Sequence, residues 1–127
     1  MLVDTHVALW LAIEPAKLTP RTAELLADED TTVLLSVASS WEFTIKWSVG
    51  KLPLPSPPTE FVPALMATFD LTPLPVTHRH AVAVADLPDH HRDPFDRLLV
   101  AQAAVEGVAL VTGDDKLAKY DVEILIA

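Results

Sequence analysis

The feature that most constrains the fold of this chain is a set of short, uninterrupted apolar runs separated by helix-like stretches. The runs lie at about residues 1–4, 32–36, 70–74, 108–112 and 122–126. Continuous apolar runs of this length are typical of strands buried on both faces, and such strands form parallel sheets joined by helical crossovers. The pattern therefore predicts an α/β fold, a three-layer α/β/α sandwich with a mainly parallel central sheet.

Capping residues place the helices between these runs. The Thr19–Pro20 pair forms a favourable N-cap and first turn for a helix that runs to about residue 28. The Ser39–Ser40 pair is expected to open the helix after the second strand, and Pro63 is expected in the first turn of a helix over 60–68. The clearest helix is Asp93–Glu106, which Gly107 closes.

Length and composition indicate one domain, residues 1–127, with an apolar content of 50% that supports a single core. No apolar run reaches 18 residues, so no membrane span is expected. The N-terminal segment has no basic region and includes Asp4, so we expect no signal peptide. The lack of cysteine fits a reducing compartment, so a cytoplasmic location is expected. The absence of cysteine excludes disulfides, thiol nucleophiles and cysteine-based zinc sites.

Acidic and hydroxyl side chains stand at the ends of three predicted strands. The first strand ends at Asp4, the second at Ser36, and the fourth runs into Thr112 and Asp114. The carboxyl ends of parallel strands meet at one edge of the sheet, and ligands bind at that edge in such folds. These side chains are therefore expected to converge on a common site.

Three further acids come from the starts of neighbouring helices. Glu42 is expected in the first turn of the helix after the second strand, and Asp93 and Asp96 stand at the start of the 93–106 helix. Several carboxylates a few ångströms apart cannot all ionise without a counter-charge. Because carboxylate oxygen is the ligand that Mg²⁺ and Mn²⁺ prefer, one or two such ions are predicted, with phosphodiester hydrolysis as the natural chemistry.

Each of these acids also has a purely structural interpretation. Asp93, followed by a proline, is a good helix N-cap, and Asp114 fits a turn. Glu42 and Lys46 have the i, i+4 spacing of a surface ion pair. The common placement of the acids, rather than any single one of them, favours a site.

The histidines indicate less. His90 and His91 resemble a metal-ligand pair, but adjacent side chains point in different directions, so a solvated loop is expected there. His6 follows Asp4 closely and fits either the edge of the site or a core or capping position. His78 and His80 have no partner in the sequence and are assigned no role.

The formal net charge of −9 argues at first against a nucleic-acid substrate, because an acidic surface repels phosphates. One or two bound divalent cations would reduce that charge to about −7 or −5. Six of the nine Lys and Arg residues lie within ten residues of Glu42, Asp96 or Asp114, which predicts a basic rim around an acidic centre, with solvated helix faces as the alternative. They are Lys51 and Lys119, together with the predicted substrate-binding residues Lys46, Arg92, Arg97 and Lys116.

Four blocks in a fixed order carry the residues discussed above. They are LVDTHVALW at Leu2–Trp10, SVASSWEFTIKWSVGKL at Ser36–Leu52, LPDHHRDPFDRLLVAQA at Leu87–Ala103 and LVTGDDKLAKY at Leu110–Tyr120. Together the blocks cover essentially the whole chain, and they resemble the PIN-domain ribonucleases, specifically the VapC-type toxins of bacterial toxin–antitoxin pairs. The resemblance implies a PIN-like sandwich, a Mg²⁺- or Mn²⁺-dependent endoribonuclease, a homodimer, and a small antitoxin that blocks the site and binds operator DNA.

Matched residue by residue, the resemblance implies that Asp4, Glu42, Asp96 and Asp114 are the catalytic acids. Asp4, with Asp96 or Asp114, would hold the metal ion, Asp93 would support or replace Asp96, and Glu42 would orient or deprotonate the attacking water. The hydroxyls expected to support these acids are Thr112, Thr5 and Ser39.

Two other functions are compatible with the sequence. A phosphatase with Asp4 as its nucleophile is disfavoured, because Asp-Thr-His lacks the second acid, two residues on, that haloacid-dehalogenase-type phosphatases carry. A non-catalytic binding domain would leave the acids as helix caps and ion pairs. A divalent metal is not expected to stabilise such a domain.

Overall fold

The computed structural model describes residues 1–127 and contains one sheet of five strands together with six α-helices. In chain order the elements are β1 (Leu2–Val3), α1 (Thr5–Ile13), α2 (Pro20–Ala27), β2 (Leu34–Ser36), α3 (Val37–Ser48), α4 (Pro58–Thr68), β3 (Thr72–Leu74), α5 (His78–Ala83), α6 (Pro94–Glu106), β4 (Leu110–Thr112) and β5 (Ile124–Ile126). Short 3₁₀ turns follow α1, α5 and β4, at Pro15–Lys17, Val84–Asp86 and Asp115–Lys119.

All strand pairs are parallel, and the strand order is β3-β2-β1-β4-β5. Because β1 is central and pairs with both β2 and β4, the carboxyl ends of these three strands lie side by side. The predicted three-layer α/β/α sandwich is confirmed. None of the helices combines the length and the apolar character that a membrane-spanning segment needs.

Alternate residues of the central strands face opposite layers. Leu2 and Leu110 are fully buried in a cluster with residues of α6, whereas Val3 and Val111 belong to a cluster with residues of α1 to α4. Burying each such side chain contributes about 1.5–3 kcal/mol. The two clusters hold the sheet between its helical layers and so fix the position of its carboxyl edge.

Strand β2 runs directly into α3 without a loop. Ser36 ends the strand, and its hydroxyl accepts the N–H of Ala38 at 3.0 Å, so it is the helix N-cap. The expectation that Ser39–Ser40 opens this helix is wrong, because the helix begins at Val37. As a result Glu42 lies in the second turn of α3 rather than in the first.

The bounds of two other helices also matter for the predictions. Helix α6 begins and ends as expected, with Asp93 as its N-cap and Gly107 in the left-handed region at φ 65°. Helix α4 begins at Pro58, where a proline at the first position costs no hydrogen bond. Pro63 therefore lies inside the helix instead of in its first turn, which removes one helical hydrogen bond.

His80, which sequence reasoning left without a role, has a buried ring and joins α5 to α6 through a chain of hydrogen bonds. Its Nδ1 accepts the N–H of Thr77 at 3.1 Å, and its Nε2 lies 2.8 Å from a carboxylate oxygen of Glu106. Gln102 of α6 lies 3.3 Å from His80 Nδ1 and accepts the Ser36 hydroxyl at 2.6 Å. These hydrogen bonds connect α6 to the start of α3.

Candidate functional site

Asp4 stands at the end of the central strand β1, where the chain turns into α1. It is 3% exposed, and its Oδ1 accepts the N–H of Val7 at 2.7 Å, which caps α1. The hydroxyl of Thr112, at the end of the adjacent strand β4, donates to its Oδ2. Burial raises the pKa of Asp4 above its ordinary value, and these hydrogen bonds oppose that shift.

Thr112 also organises the loop that follows β4. Its Oγ1 accepts the N–H of Asp114 at 3.0 Å, and Oδ1 of Asp114 in turn accepts the N–H of Lys116 at 3.0 Å. The second carboxylate oxygen of Asp114, Oδ2, faces the side chain of His91. One buried hydroxyl therefore fixes Asp4 and the Asp114 loop relative to each other.

Asp96 lies in the first turn of α6, and His91 comes from the loop that precedes this helix. Nε2 of His91 lies 2.8 Å from Oδ2 of Asp96 and 3.6 Å from Oδ2 of Asp114. One ligand atom from each of these three residues lies within 4.8 Å of the other two. Burial, and to a lesser extent the charges of Asp93 and Asp4, raises the pKa of Asp96, while the hydrogen bond with His91 opposes this shift.

A cavity of about 200 Å³ opens at this carboxyl edge of the sheet. A close approach of Trp10 to the Asp114 loop shapes its wall, because a Cβ at Gly113 would lie 2.4 Å from the indole ring. The residues that line the cavity are Asp4, His6, Trp10, Asp96, Gly113 and Asp114. Three of the four predicted catalytic acids therefore surround one small space.

Glu42 does not line this cavity. It is 2% exposed, and Lys46 forms an ion pair with its Oε2, so the i, i+4 pairing is present although Glu42 is buried rather than on the surface. Its other oxygen, Oε1, is buried without a hydrogen-bond partner. An unpartnered buried carboxylate oxygen is unusual and is available to accept a further donor.

The predicted supporting hydroxyls hold the backbone of the site. Thr5, next to Asp4, donates its hydroxyl hydrogen to the hydroxyl oxygen of Ser39 at 3.0 Å, which joins α1 to α3 in the interior.

Asp93 accepts the N–H groups of Phe95 and Asp96 at 2.8 and 3.3 Å. Asp93 therefore caps α6, which is the structural interpretation of this residue.

The predicted basic rim faces outward only in part. Arg92 and Lys116 are exposed, while Lys46 is held by Glu42. The guanidinium of Arg97 turns back onto the protein, where it donates hydrogen bonds to four oxygen atoms. Its acceptors are the carbonyls of Val84 (3.3 Å), Pro88 (2.9 Å) and His91 (3.5 Å) and the hydroxyl of Tyr120 (3.2 Å).

The donor set of the cavity fits a divalent cation. Asp4, Asp96 and Asp114 supply hard carboxylate oxygens, which are the ligands that Mg²⁺ and Mn²⁺ prefer. The raised pKa values of Asp4 and Asp96 have burial as their first cause, so the free carboxylates are held in an environment that disfavours their charge. A bound cation would reverse that disadvantage, since it neutralises the carboxylates that surround it.

His91 is the residue of this site that sequence reasoning missed. The expectation of a solvated loop is wrong for His91, whose side chain is 18% exposed, although it holds for His90, which is exposed and packs its ring against Tyr120. The available signal was the pair itself: because adjacent side chains diverge, one of the two can face the site while the other faces solvent.

The sequence of the chain is similar to known proteins along nearly its whole length. The PIN domain family matches residues 1–123. Ribonuclease VapC22 of Mycobacterium tuberculosis is 30% identical over 125 residues, which cover 94% of this chain and 91% of that protein. Ribonuclease VapC16 of the same organism is 41% identical over 59 residues, which cover 46% of this chain and 42% of that protein.

Solved structures with low sequence identity have the same fold. VapBC2 from Rickettsia felis, in a structure with a DNA fragment from its promoter, includes a chain with a TM-score of 0.76 and 14% identity, covering 99% of this chain and 97% of that one. A chain of FitAcB from Neisseria gonorrhoeae has a TM-score of 0.66 and 19% identity, with 98% and 95% covered. A chain of VapBC-1 from nontypeable Haemophilus influenzae has a TM-score of 0.64 and 13% identity, with 98% and 96% covered.

Proposed function

The chain belongs to the PIN domain family, and we propose that it is a metal-dependent endoribonuclease that hydrolyses RNA phosphodiester bonds. The observation that carries the proposal is the meeting of Asp4, Asp96 and Asp114 around one cavity at the carboxyl edge of the sheet. The relatives named as VapC ribonucleases support the same activity.

Asp4, Asp96 and Asp114 would hold the cation, which we take to be Mg²⁺ or Mn²⁺. Such an ion, when bound, supplies Lewis-acid stabilisation of the negative charge that develops on the attacked phosphate. Thr112 keeps the carboxylate of Asp4 in one orientation by donating to its Oδ2. The cap that Asp93 provides places Asp96 in the first turn of α6, where the positive end of the helix dipole would favour an anionic substrate.

We assign to Glu42 the orientation or deprotonation of the attacking water. Lys46 binds one of its carboxylate oxygens, and the other, Oε1, is buried without a hydrogen-bond partner. Because Glu42 is buried and does not line the cavity, this role requires a rearrangement that brings Oε1 to the attacking water. Arg92 is exposed beside Asp93 in the sequence, and Lys116 is exposed two residues after Asp114. We assign to these two cations contacts with phosphates that flank the scissile bond.

We further propose that this enzyme is the toxin of a toxin–antitoxin pair in the cytoplasm. The neighbouring structures VapBC2, FitAcB and VapBC-1 support an antitoxin partner, which would act by covering the acid-lined cavity. A homodimer is part of the same proposal. The partners are testable by copurification of the chain with the product of an adjacent small gene.

The direct test of the activity is cleavage of a short structured RNA by the purified protein with Mg²⁺ or Mn²⁺. We expect cleavage that EDTA abolishes and that Asp4→Asn reduces by at least two orders of magnitude, as loss of a metal-site carboxylate should. Activity that survives both EDTA and Asp4→Asn would overturn the proposal. Intact RNA together with an unchanged Tm in Mn²⁺ would favour a non-catalytic binding domain.

A further inference from the structure

The histidine at the acid cluster suggests a property of the metal site that carboxylates alone do not supply. We propose that His91 is a nitrogen ligand of the divalent cation and makes the site select Mn²⁺ over Mg²⁺. This inference rests on the proposed function, because it concerns the same cation. It assigns to His91 a direct bond to the ion through Nε2.

The imidazole nitrogen of His91 is positioned to join the acids around one ion. Nε2 of His91 lies 2.8 Å from an oxygen of Asp96 and 3.6 Å from an oxygen of Asp114. In an octahedral site with bonds of about 2.1 Å, neighbouring ligand atoms are about 3 Å apart. The two distances lie on either side of that value, so a small movement of the side chains would bring all three atoms into one coordination sphere.

The loop that carries His91 is held in place by Arg97. The guanidinium of Arg97 donates to the carbonyl oxygen of His91 itself, to that of Pro88 earlier in the loop, and to the hydroxyl of Tyr120. Arg97 is the next residue after Asp96, so the same turn of α6 carries an acid of the cluster and the anchor of the loop. Arg97 is therefore a positioning residue for His91 rather than a residue that faces the substrate.

The two adjacent histidines differ in what they face. His91 is directed at Asp96 and Asp114, whereas His90 is exposed and packs against Tyr120. Nε2 of His91 lies within hydrogen-bond distance of Asp96. Binding of the cation requires the neutral tautomer with its proton on Nδ1, which leaves the Nε2 lone pair for the ion.

The predicted consequence is a change in metal preference. Mg²⁺ strongly favours oxygen ligands, whereas imidazole nitrogen suits the transition metals, and affinities for sites with nitrogen donors rise from Mn²⁺ onward along the first row. Loss of His91 should therefore weaken Mn²⁺ binding more than Mg²⁺ binding. Loss of His90 should change neither affinity.

The experiment is a titration of the purified full-length chain with Mn²⁺ and with Mg²⁺ by calorimetry, combined with pulsed electron paramagnetic resonance of the Mn²⁺ complex. We expect ¹⁴N modulation from a coordinated imidazole in the wild type and in His90→Gln, and none in His91→Gln. His91→Gln should raise the Mn²⁺ dissociation constant about tenfold or more and the Mg²⁺ constant by less. Lysine cannot reproduce the several donors of the guanidinium, so Arg97→Lys alone should weaken Mn²⁺ binding. Combined with His91→Gln, it should raise the Mn²⁺ dissociation constant little further.

Two outcomes would overturn the inference and are distinguishable from each other. Mn²⁺ binding that Asp114→Asn abolishes, but that shows no ¹⁴N modulation in the wild type, would leave the proposed function standing and reduce His91 to a hydrogen-bond partner of Asp96. Absence of any saturable Mn²⁺ or Mg²⁺ binding would overturn the proposed function together with this inference.

Discussion

Substitution of Asp96 by asparagine should make the metal-free protein more stable and the metal-bound protein less stable than the wild type. The side chain of Asp96 is 18% exposed, and its pKa is raised by burial and by the charges of Asp93 and Asp4. Asparagine has nearly the same shape and still accepts the hydrogen bond of His91, but it carries no charge. The substitution therefore removes an unfavourable charge without opening a cavity.

The size of the effect follows from linkage. The charge of a carboxylate whose pKa is raised opposes folding at neutral pH, so the metal-free variant should gain free energy of unfolding. For a domain of this size each kcal/mol gained raises Tm by about 3–6 °C. Mn²⁺ at a hundred times its dissociation constant stabilises the wild type by about 2.7 kcal/mol, and the variant, which lacks one ligand, gains much less.

The pH dependence provides an internal check with a defined sign. A carboxyl whose folded-state pKa is raised contributes stability below its ordinary pKa of 3.8, and this contribution is lost as the pH rises through the raised value. The advantage of Asp96→Asn in EDTA should therefore be present at pH 7 and should vanish near pH 3.8.

The assay is thermal unfolding by circular dichroism in EDTA and in Mn²⁺, at pH 7 and at about pH 4. Glu29→Gln is the matched control, because Glu29 is an exposed acid in the segment that precedes β2, at the opposite edge of the sheet. It should shift Tm by little in either buffer. The reasoning is refuted if Asp96→Asn lowers Tm in EDTA, or if Mn²⁺ stabilises the variant and the wild type equally.

Two other substitutions test how the site is supported. Gly113→Ala should displace Trp10, because the new Cβ would lie 2.4 Å from the indole. We expect the free energy of unfolding in urea to fall by about 1–3 kcal/mol and the tryptophan emission to shift. An unchanged unfolding midpoint would contradict the close approach. Gln102→Leu removes the acceptor of the buried Ser36 hydroxyl and a neighbour of His80, so it should cost about 1–3 kcal/mol in urea unfolding, and an unchanged midpoint would argue against a stabilising role of this hydrogen bond.

The sequence was sufficient to predict the fold class and the convergence of Asp4, Asp96 and Asp114. Both depend on local signals: apolar runs mark buried strands, and residues at the ends of parallel strands must lie at one edge. The first turn of α6 was equally readable, since Asp93 and the proline after it form a strong cap.

The features that could not be predicted depend on tertiary contacts. Strand β2 enters α3 without a loop, with Ser36 as the N-cap, and no local signal in the sequence indicates this. Glu42 therefore lies about one turn further into α3 than expected. His91 reaches Asp96 because Arg97 anchors its loop, and Arg97 itself looked like a surface cation. These contacts arise only when the elements pack.

The most direct test of the central claim, that this acid cluster uses a divalent cation to hydrolyse RNA, is the chemistry of the product ends in ¹⁸O-labelled water with Mn²⁺. Attack by water predicts linear terminal phosphates that carry ¹⁸O, formed by the wild type and Glu29→Gln but not by Asp114→Asn or in the presence of EDTA. Products that end in a 2′,3′-cyclic phosphate without ¹⁸O, or labelled products that persist in Asp114→Asn, would contradict the account.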